Sequence, residues 1–288
     1  MKPKVSVLTT VYNRASYLGD CIESVQQSKF KDYEHIIVDD GSSDSSVSIA
    51  KKYAAEDGRI KLYINEKNLG DYPNRNQAAR HATGEYLKYL DADDVHGPWI
   101  LNIMVDALDQ HPEAGFGLID YDNSTEGRIL SLEGAQAQLQ FYNKQRNHFN
   151  RSPLNAILRK NAFESVGGFS GKRMVGDFEL WHMLTTQFNM VLIPPTQLWY
   201  RKHADQEMSH HARDPMWGFR YLLVSHEQLN HPQNPIDPGP RQTNLLLIEK
   251  KIGRTIILAT KKFGLRKANE MRNAIQWSWR RTLQAAFS

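Results

Sequence analysis

Glu85-Tyr86-Leu87-Lys88-Tyr89-Leu90-Asp91-Ala92-Asp93-Asp94 reads as a strand that runs straight into carboxylates. Acidic residues at i and i+2 leaving a strand face the same side. Such oxygen donors suit a hard divalent cation, Mg²⁺ or Mn²⁺, which completes its shell with substrate phosphates. The plain alternative is a solvated acidic turn, so the surroundings decide. Upstream, Val5-Ser6-Val7-Leu8-Thr9-Thr10-Val11 is β-branched and apolar, as a buried parallel strand should be. Ser16 is placed to cap a helix with Leu18, Ile22 and Val25 on one face. Residues 34–40 form a second strand ending in Asp39-Asp40, followed by a turn and capping segment, 41–45. A helix over 46–55, a strand over 59–64, a loop over 65–70 and a helix over 74–82 follow, with Gly84 as the helix stop. Pro98 opens a further helix to about residue 110. Strands alternating with helices imply right-handed crossovers and a mostly parallel sheet. Ligands of such sheets sit at the carboxyl ends of the strands, where both acidic clusters fall.

The later chain is less regular. Strands are expected at 115–121, 155–158, 190–193 and 198–202, and helices at 160–166 and 177–188. Residues 122–151 are polar. Residues 232–240 hold four prolines and read as a linker, followed by a basic helical tail.

Composition removes several function classes. The 288 residues include one cysteine, 40% hydrophobic and 24% charged residues. That is too apolar for a disordered chain, and one Cys excludes a disulfide scaffold or a multi-cysteine zinc module. No run approaches the ~18 apolar residues of a membrane span, and no secretory leader is visible, so a cytoplasmic location is expected. The net charge is +4, from 36 basic and 32 acidic residues. Residues 249–288 carry ten basic and two acidic side chains, a net +8, which leaves −4 on the rest. Nucleic acid is therefore not the expected partner of the body of the chain.

At these residues the sequence resembles family 2 glycosyltransferases. The resemblance begins at Val5-Ser6-Val7-Leu8-Thr9-Thr10-Val11-Tyr12-Asn13-Arg14. It continues through Asp39-Asp40-Gly41-Ser42-Ser43-Asp44, Asn68-Leu69-Gly70, Arg75-Asn76 and Leu90-Asp91-Ala92-Asp93-Asp94. It resumes at Gly167-Gly168-Phe169, Asp177-Phe178-Glu179-Leu180-Trp181 and Tyr200-Arg201-Lys202-His203. It covers about residues 4–210 and implies the glycosyltransferase A fold: an α/β, Rossmann-like, mostly parallel central sheet flanked by helices, here with a C-terminal helical extension. It implies a catalytic domain over 1–230, with a nucleotide-sugar half (1–115) and an acceptor half (116–230). A linker (231–242) and a basic amphipathic tail (243–288) follow.

The resemblance also implies roles. Thr9 and Tyr12 line the base pocket, Asp39 accepts the imide N–H of a uracil-type base, and Asp40 lies by the ribose. Arg14, Asn68, Gly70, Arg75 and Ala92 belong to the nucleotide site, with Arg75 by the diphosphate. Asp91, Asp93 and His203 hold Mn²⁺ or Mg²⁺. Asp177 is the catalytic base, with Glu179 the other candidate, because the family's usual acidic residue before it is Gly176 here. Glu179, Trp181 and Trp199 are candidates for the acceptor site, and His210-His211 for an extension of it. The implied function is inverting, metal-dependent transfer from a nucleoside-diphosphate sugar, UDP-linked, to a hydroxyl of a glycan or lipid-linked acceptor. A nucleotidyltransferase would carry a glycine-rich loop after the first strand, and residues 9–14 contain no glycine. A non-catalytic nucleotide- or glycan-binding module is the remaining alternative. For the tail two readings stand: its Trp277 and Trp279 lie on an anionic membrane surface, at the inner face of the cell membrane, or the helix packs on its own domain or on a second copy in a homodimer.

Overall fold

The computed structural model describes residues 2–121, 126–203, 214 and 216–287; His210-His211 lies outside them. The elements run β1 (Val5–Val11), α1 (Ala15–Gln26), β2 (Tyr33–Asp39), α2 (Ser46–Glu56), β3 (Ile60–Ile64), α3 (Asp71–His81) and β4 (Tyr86–Tyr89). Then come β5 (Val95–His96), α4 (Ile100–Asp109), β6 (Ala114–Ile119), β7 (Leu130–Leu132), α5 (Gly134–Tyr142) and a 3-10 turn at Pro153–Asn155. The rest is β8 (Ala156–Arg159), α6 (Lys160–Ser165), α7 (Gly176–Leu184), β9 (Asn189–Ile193), β10 (Leu198–Trp199), α8 (Trp217–Asn230), α9 (Pro238–Ala274) and α10 (Trp279–Phe287).

Two compact units form: Met1–Ala137 with Arg146–Lys202, and Gln138–Gln145 with His203–Ser288. The first holds an eight-stranded sheet in the order β3-β2-β1-β4-β8-β6-β9-β7 among the described residues. β1 pairs in parallel with both β2 and β4, and β2 with β3. This half is the parallel alternation the sequence implies. β2 and β4 are buried at every residue, as strands covered on both faces must be. The other half is mixed. β8 enters antiparallel between β4 and β6, β6 pairs in parallel with β9, and β7 closes the edge antiparallel. α4 supplies much of the core, with Ile100, Leu101, Met104, Val105 and Leu108 against Val5, Val7, Tyr86 and Leu90.

Gly84 has a different reason from the one expected. The helix C-cap is Ala82, with extended backbone. Gly84 instead lets the chain lie against β1: its N–H donates to Ser6 Oγ at 2.9 Å, and a Cβ there would sit 2.6 Å from Ser6 N. Gly84→Ala should therefore destabilise the fold by about 2 kcal/mol through overpacking. The check is a lower Tm with unchanged activity per folded molecule.

The expected boundary at residue 230 and the separate tail are corrected. The chain divides after Lys202. α8 is part of the second unit's core, where Phe219 and Leu229 pack with Ile236, Ile248, Ile252, Ile256 and Met271. The proline patch is not a free linker either, because Pro238 opens α9. Pro at a helix start costs no hydrogen bond, since that N–H has no intrahelical partner.

Candidate active site

Because β1, β2 and β4 run in parallel, their carboxyl ends share one edge. The loop after β1 is locked to the loop after β2. Asn13 sits at φ 51°, a left-handed conformation that Asn tolerates better than most residues. Its N–H donates to Ser42 Oγ at 2.9 Å, and its Oδ1 accepts from Ser43 N at 2.8 Å. Ser16 does not cap α1. The first-turn N–H of Ala15 donates to Asp44 Oδ2 at 2.9 Å, so the cap is borrowed from the neighbouring loop.

The two acidic residues after β2 have opposite fates. Asp39 is buried, and its Oδ1 accepts the N–H groups of Gly41 and Ser42 at 3.1 and 2.9 Å. Its Oδ2 is buried without a hydrogen-bond partner. Asp40 is also buried but fully used. It accepts from Asn65 Nδ2 (2.8 Å), Leu69 N (2.9 Å) and Gly70 N (2.9 Å). Its expected position by a ribose gives way to a role in shaping the Asn68–Gly70 loop, where Asn68 Oδ1 also accepts from Gly70 N. Thr9 is corrected as well. It is fully buried with its hydroxyl 2.9 Å from His35 Nε2, on the side of β1 that faces Cys21 of α1, so it lines no open pocket. Tyr12, just past β1, is 48% exposed.

Beyond β4 the carboxylates meet guanidinium groups. Arg75 Nη2 lies 2.7 Å from Asp91 Oδ1, and Arg14 Nε 3.0 Å from Asp93 Oδ2. Arg75 is buried on α3; its Nε donates to Asp71 at 2.7 Å, while its Nη1 is buried without a partner. Asp94 is buried, accepts from Arg201 N at 2.9 Å, and is pushed up to about 7 by burial and then by the Asp91 charge. Ala92, between the two ligand candidates, is buried. Behind this edge Lys88 is buried within β4. Its ammonium donates to the carbonyls of Tyr89 (2.8 Å) and Leu154, and burial lowers it to about 7.

Asp177 stands at the start of α7. Its Oδ1 accepts from Phe178 N at 2.7 Å and from the Tyr72 hydroxyl at 3.2 Å, and the same hydroxyl accepts from Asp177 N at 3.3 Å. Burial pushes its carboxyl up to about 6. Gly176 follows from Tyr72: a Cβ at 176 would lie 2.7 Å from the Tyr72 ring. The missing acidic residue thus makes room for an aromatic that holds Asp177. Glu179 is committed elsewhere, accepting from Lys172 at 2.8 Å and from the Ser170 hydroxyl.

Trp181 is corrected from acceptor candidate to core. It is fully buried, stacked on Phe116 at 5.7 Å, and donates its Nε1–H to Arg151 O at 2.8 Å. Trp199 on β10 is 71% exposed. His203 belongs to the second unit. Among the described residues, no three His, Cys, Asp or Glu side chains gather as a metal-holding group.

The family model described as Glycosyl transferase family 2 matches residues 6–167, more than half of the chain. The chain belongs to glycosyl transferase family 2. The matched residues include every β1, β2 and β4 strand end described above. The chain is 38% identical over 124 residues to the EpsE protein of Bacillus subtilis strain 168, covering 42% of this chain and 45% of that protein. It is 39% identical over 93 residues to the GalNAc(5)-diNAcBac-PP-undecaprenol beta-1,3-glucosyltransferase of Campylobacter jejuni, covering 32% and 30%. The match thus spans less than half of each of these relatives. The crystal structure of S. aureus TarS 1–349 in complex with UDP-GlcNAc superposes with a TM-score of 0.72 at 18% identity, over 99% of this chain and 82% of that one. The family's glycosyltransferase A fold is therefore the fold of this chain, which also carries a C-terminal helical extension.

Two residues of this family member escaped the sequence reading. Tyr72 carried no signal, being one aromatic in a polar helix. Lys88 did carry one: a lysine inside an apolar strand must be satisfied by something buried.

Proposed function

We propose that the chain is a metal-dependent, inverting glycosyltransferase that moves a sugar from a UDP-linked donor to a hydroxyl of a glycan or lipid-linked acceptor. One observation carries this reading. Two buried polar atoms of opposite character, Asp39 Oδ2 and Arg75 Nη1, stand without partners around one sheet edge. Buried polar groups are otherwise paired, because an unmade hydrogen bond costs more than a made one gains. An acceptor for a base N–H and a cation for a diphosphate oxygen are the two ends of a nucleoside diphosphate. The TarS structure was solved with UDP-GlcNAc, which supports the uracil assignment. The undecaprenol-linked acceptor in the name of the Campylobacter relative supports a lipid-linked acceptor.

Asp91 and Asp93 fit a hard divalent cation. They are oxygen donors, partly exposed, and negative enough to hold a guanidinium each. A two-carboxylate set suits Mg²⁺ or Mn²⁺, which keep the remaining positions for water and phosphate. When bound, the ion supplies charge stabilisation to the departing diphosphate. Arg75 adds fixed positive charge beside Asp91. Asp177 takes the proton of the acceptor hydroxyl as it attacks the anomeric carbon, and the nucleoside diphosphate leaves from the opposite face. One base on the acceptor side fits a single displacement with inversion.

Thermal shift with UDP, GDP, ADP and CDP, with and without Mn²⁺, tests the donor assignment. UDP should give the largest rise in Tm, and EDTA should abolish transfer, with Mn²⁺ or Mg²⁺ restoring it. Asp39→Asn presents an amide where an acceptor is needed, and should weaken UDP binding by roughly tenfold or more. A chain indifferent to UDP sinks the reading.

A further inference from the structure

The second unit fills its own core. Ile248, Ile252, Ile256, Ala259, Ala268 and Met271 of α9 are buried. The two tryptophans expected at an interface pack against this core instead. Arg281 lies 5.2 Å from the Trp277 ring, and Arg272 5.9 Å from that of Trp279. What α9 leaves outside is a different set. Leu247, Lys251, Arg254, Leu258, Lys261 and Lys262 are all exposed; the first four follow one another at steps of three or four residues, and Lys261 and Lys262 lie three and four residues beyond Leu258, so the six share one side of the helix. No carboxylate lies among them. The acidic residues nearby are engaged by cations of their own unit: Glu249 with Arg281 at 2.6 Å, and Glu270 with Lys267 at 2.9 Å and with Arg266 at 3.6 Å.

This face ends at a corner. Gly264 has φ 84° and ψ 169°, so α9 is two helical arms bent at that residue. All six residues from 261 to 266 (Lys-Lys-Phe-Gly-Leu-Arg) are exposed. Phe263 is 44% and Leu265 62% exposed, and the Arg266 side chain 96%. Two large apolar side chains stand at a bend, ringed by cations.

We propose that this corner docks the protein on an anionic lipid bilayer. Phe263 and Leu265 enter the acyl boundary, and Lys251, Lys261 and Lys262 meet lipid phosphates; Arg254, whose Nε donates to Ala286 O at 3.1 Å, and Arg266, paired with Glu270 at 3.6 Å, add positive charge beside them. Charge complementarity selects this occupant: each Lys or Arg near an anionic leaflet strengthens binding by about fivefold. A protein partner suits the corner poorly, because specific interfaces use about twenty residues a side and this one offers two apolar groups. Insertion here is interfacial. Among the described residues no helix is long and apolar enough to cross a membrane. The proposal is independent of the donor and the acceptor.

The test uses the full chain and sedimentation with vesicles. Binding is expected to vesicles of equal parts phosphatidylglycerol and phosphatidylcholine, absent with phosphatidylcholine alone, and weakened by salt. Phe263→Ser with Leu265→Ser should reduce it by roughly tenfold or more, and Lys261→Glu with Lys262→Glu likewise. Both variants should keep the Tm and UDP response of the parent, which separates failure here from failure of the transferase reading. A polarity-sensitive dye on Leu265→Cys should shift to the blue on anionic vesicles, the native Cys21 being buried. Absence of binding by the parent chain, equal binding by the double variants, an unshifted dye, or self-association through this face in place of vesicle binding would each overturn the proposal.

Discussion

Asp177→Asn should stop sugar transfer while UDP binding persists. A positioned base is worth roughly 10²–10⁴ in rate, so kcat should fall by about three orders of magnitude. The carboxyl, pushed up to about 6, is ionised at neutral pH yet more basic than an ordinary carboxylate. Its proton must be off for the acceptor hydroxyl to give one up. kcat/KM of the parent should therefore rise with pH through an apparent pKa near 6, and the residual rate of Asp177→Asn should lack that limb. The Tyr72 hydroxyl favours the charged form of Asp177, so Tyr72→Phe should move the limb to higher pH. Stability behaves in the opposite sense. A carboxyl raised in the folded state contributes stability at low pH and loses it as pH rises through about 6. At neutral pH the ionised group is a cost, so Asp177→Asn should show no lower Tm than the parent. Transfer retained in that variant would remove the base assignment. Glu179→Gln provides the contrast: it loosens the contacts to Ser170 and Lys172 and leaves the acid limb in place.

The parallel half of the sheet was legible because each strand there is a β-branched or aromatic run that stops at polar residues. The mixed half was not, because a short apolar run such as Ala156–Arg159 carries no mark of direction. β5 is two residues long and lies below any periodicity, and the strand expected at 198–202 forms only over its first two residues, as β10. At the site, motif spacing identified which loops meet, but not which of two neighbouring side chains faces the ligand. Asp39 and Asp40 are chemically equal in sequence. One keeps a buried oxygen without a partner, and the other spends both oxygens on a loop some thirty residues away. Thr9 lost its expected role to the alternation of β1, which turns it toward α1. The α1 cap escaped for the same non-local reason, since Asp44 lies 29 residues from the N–H it satisfies. In the tail, composition revealed the excess of charge, but only packing separates Trp277 and Trp279, turned inward, from Phe263 and Leu265, turned out.

Arg75→Met should weaken UDP binding by roughly a hundredfold, the size expected for a charge-assisted pair to phosphate. The same change should lower stability by about 2 kcal/mol. That is below the usual cost of breaking a buried ion pair, because Asp71 and Asp91 are partly exposed and water can solvate them. The two effects arise from different nitrogens. Nε and Nη2 hold Asp71 and Asp91, and of the three nitrogens Nη1 alone is left without a partner. Arg75→Lys separates them: an ammonium keeps the charge but cannot span three partners at once, so it should restore part of the stability and little of the affinity. Uridine is the control ligand, since it keeps the base and ribose and lacks the diphosphate. If Nη1 serves the diphosphate, uridine affinity should be nearly the same in parent and variants, and only the gain from uridine to UDP should collapse. An equal loss for both ligands would mean that Arg75 supports the site by holding α3 against the carboxyl end of β4, and that the diphosphate is met by another cation.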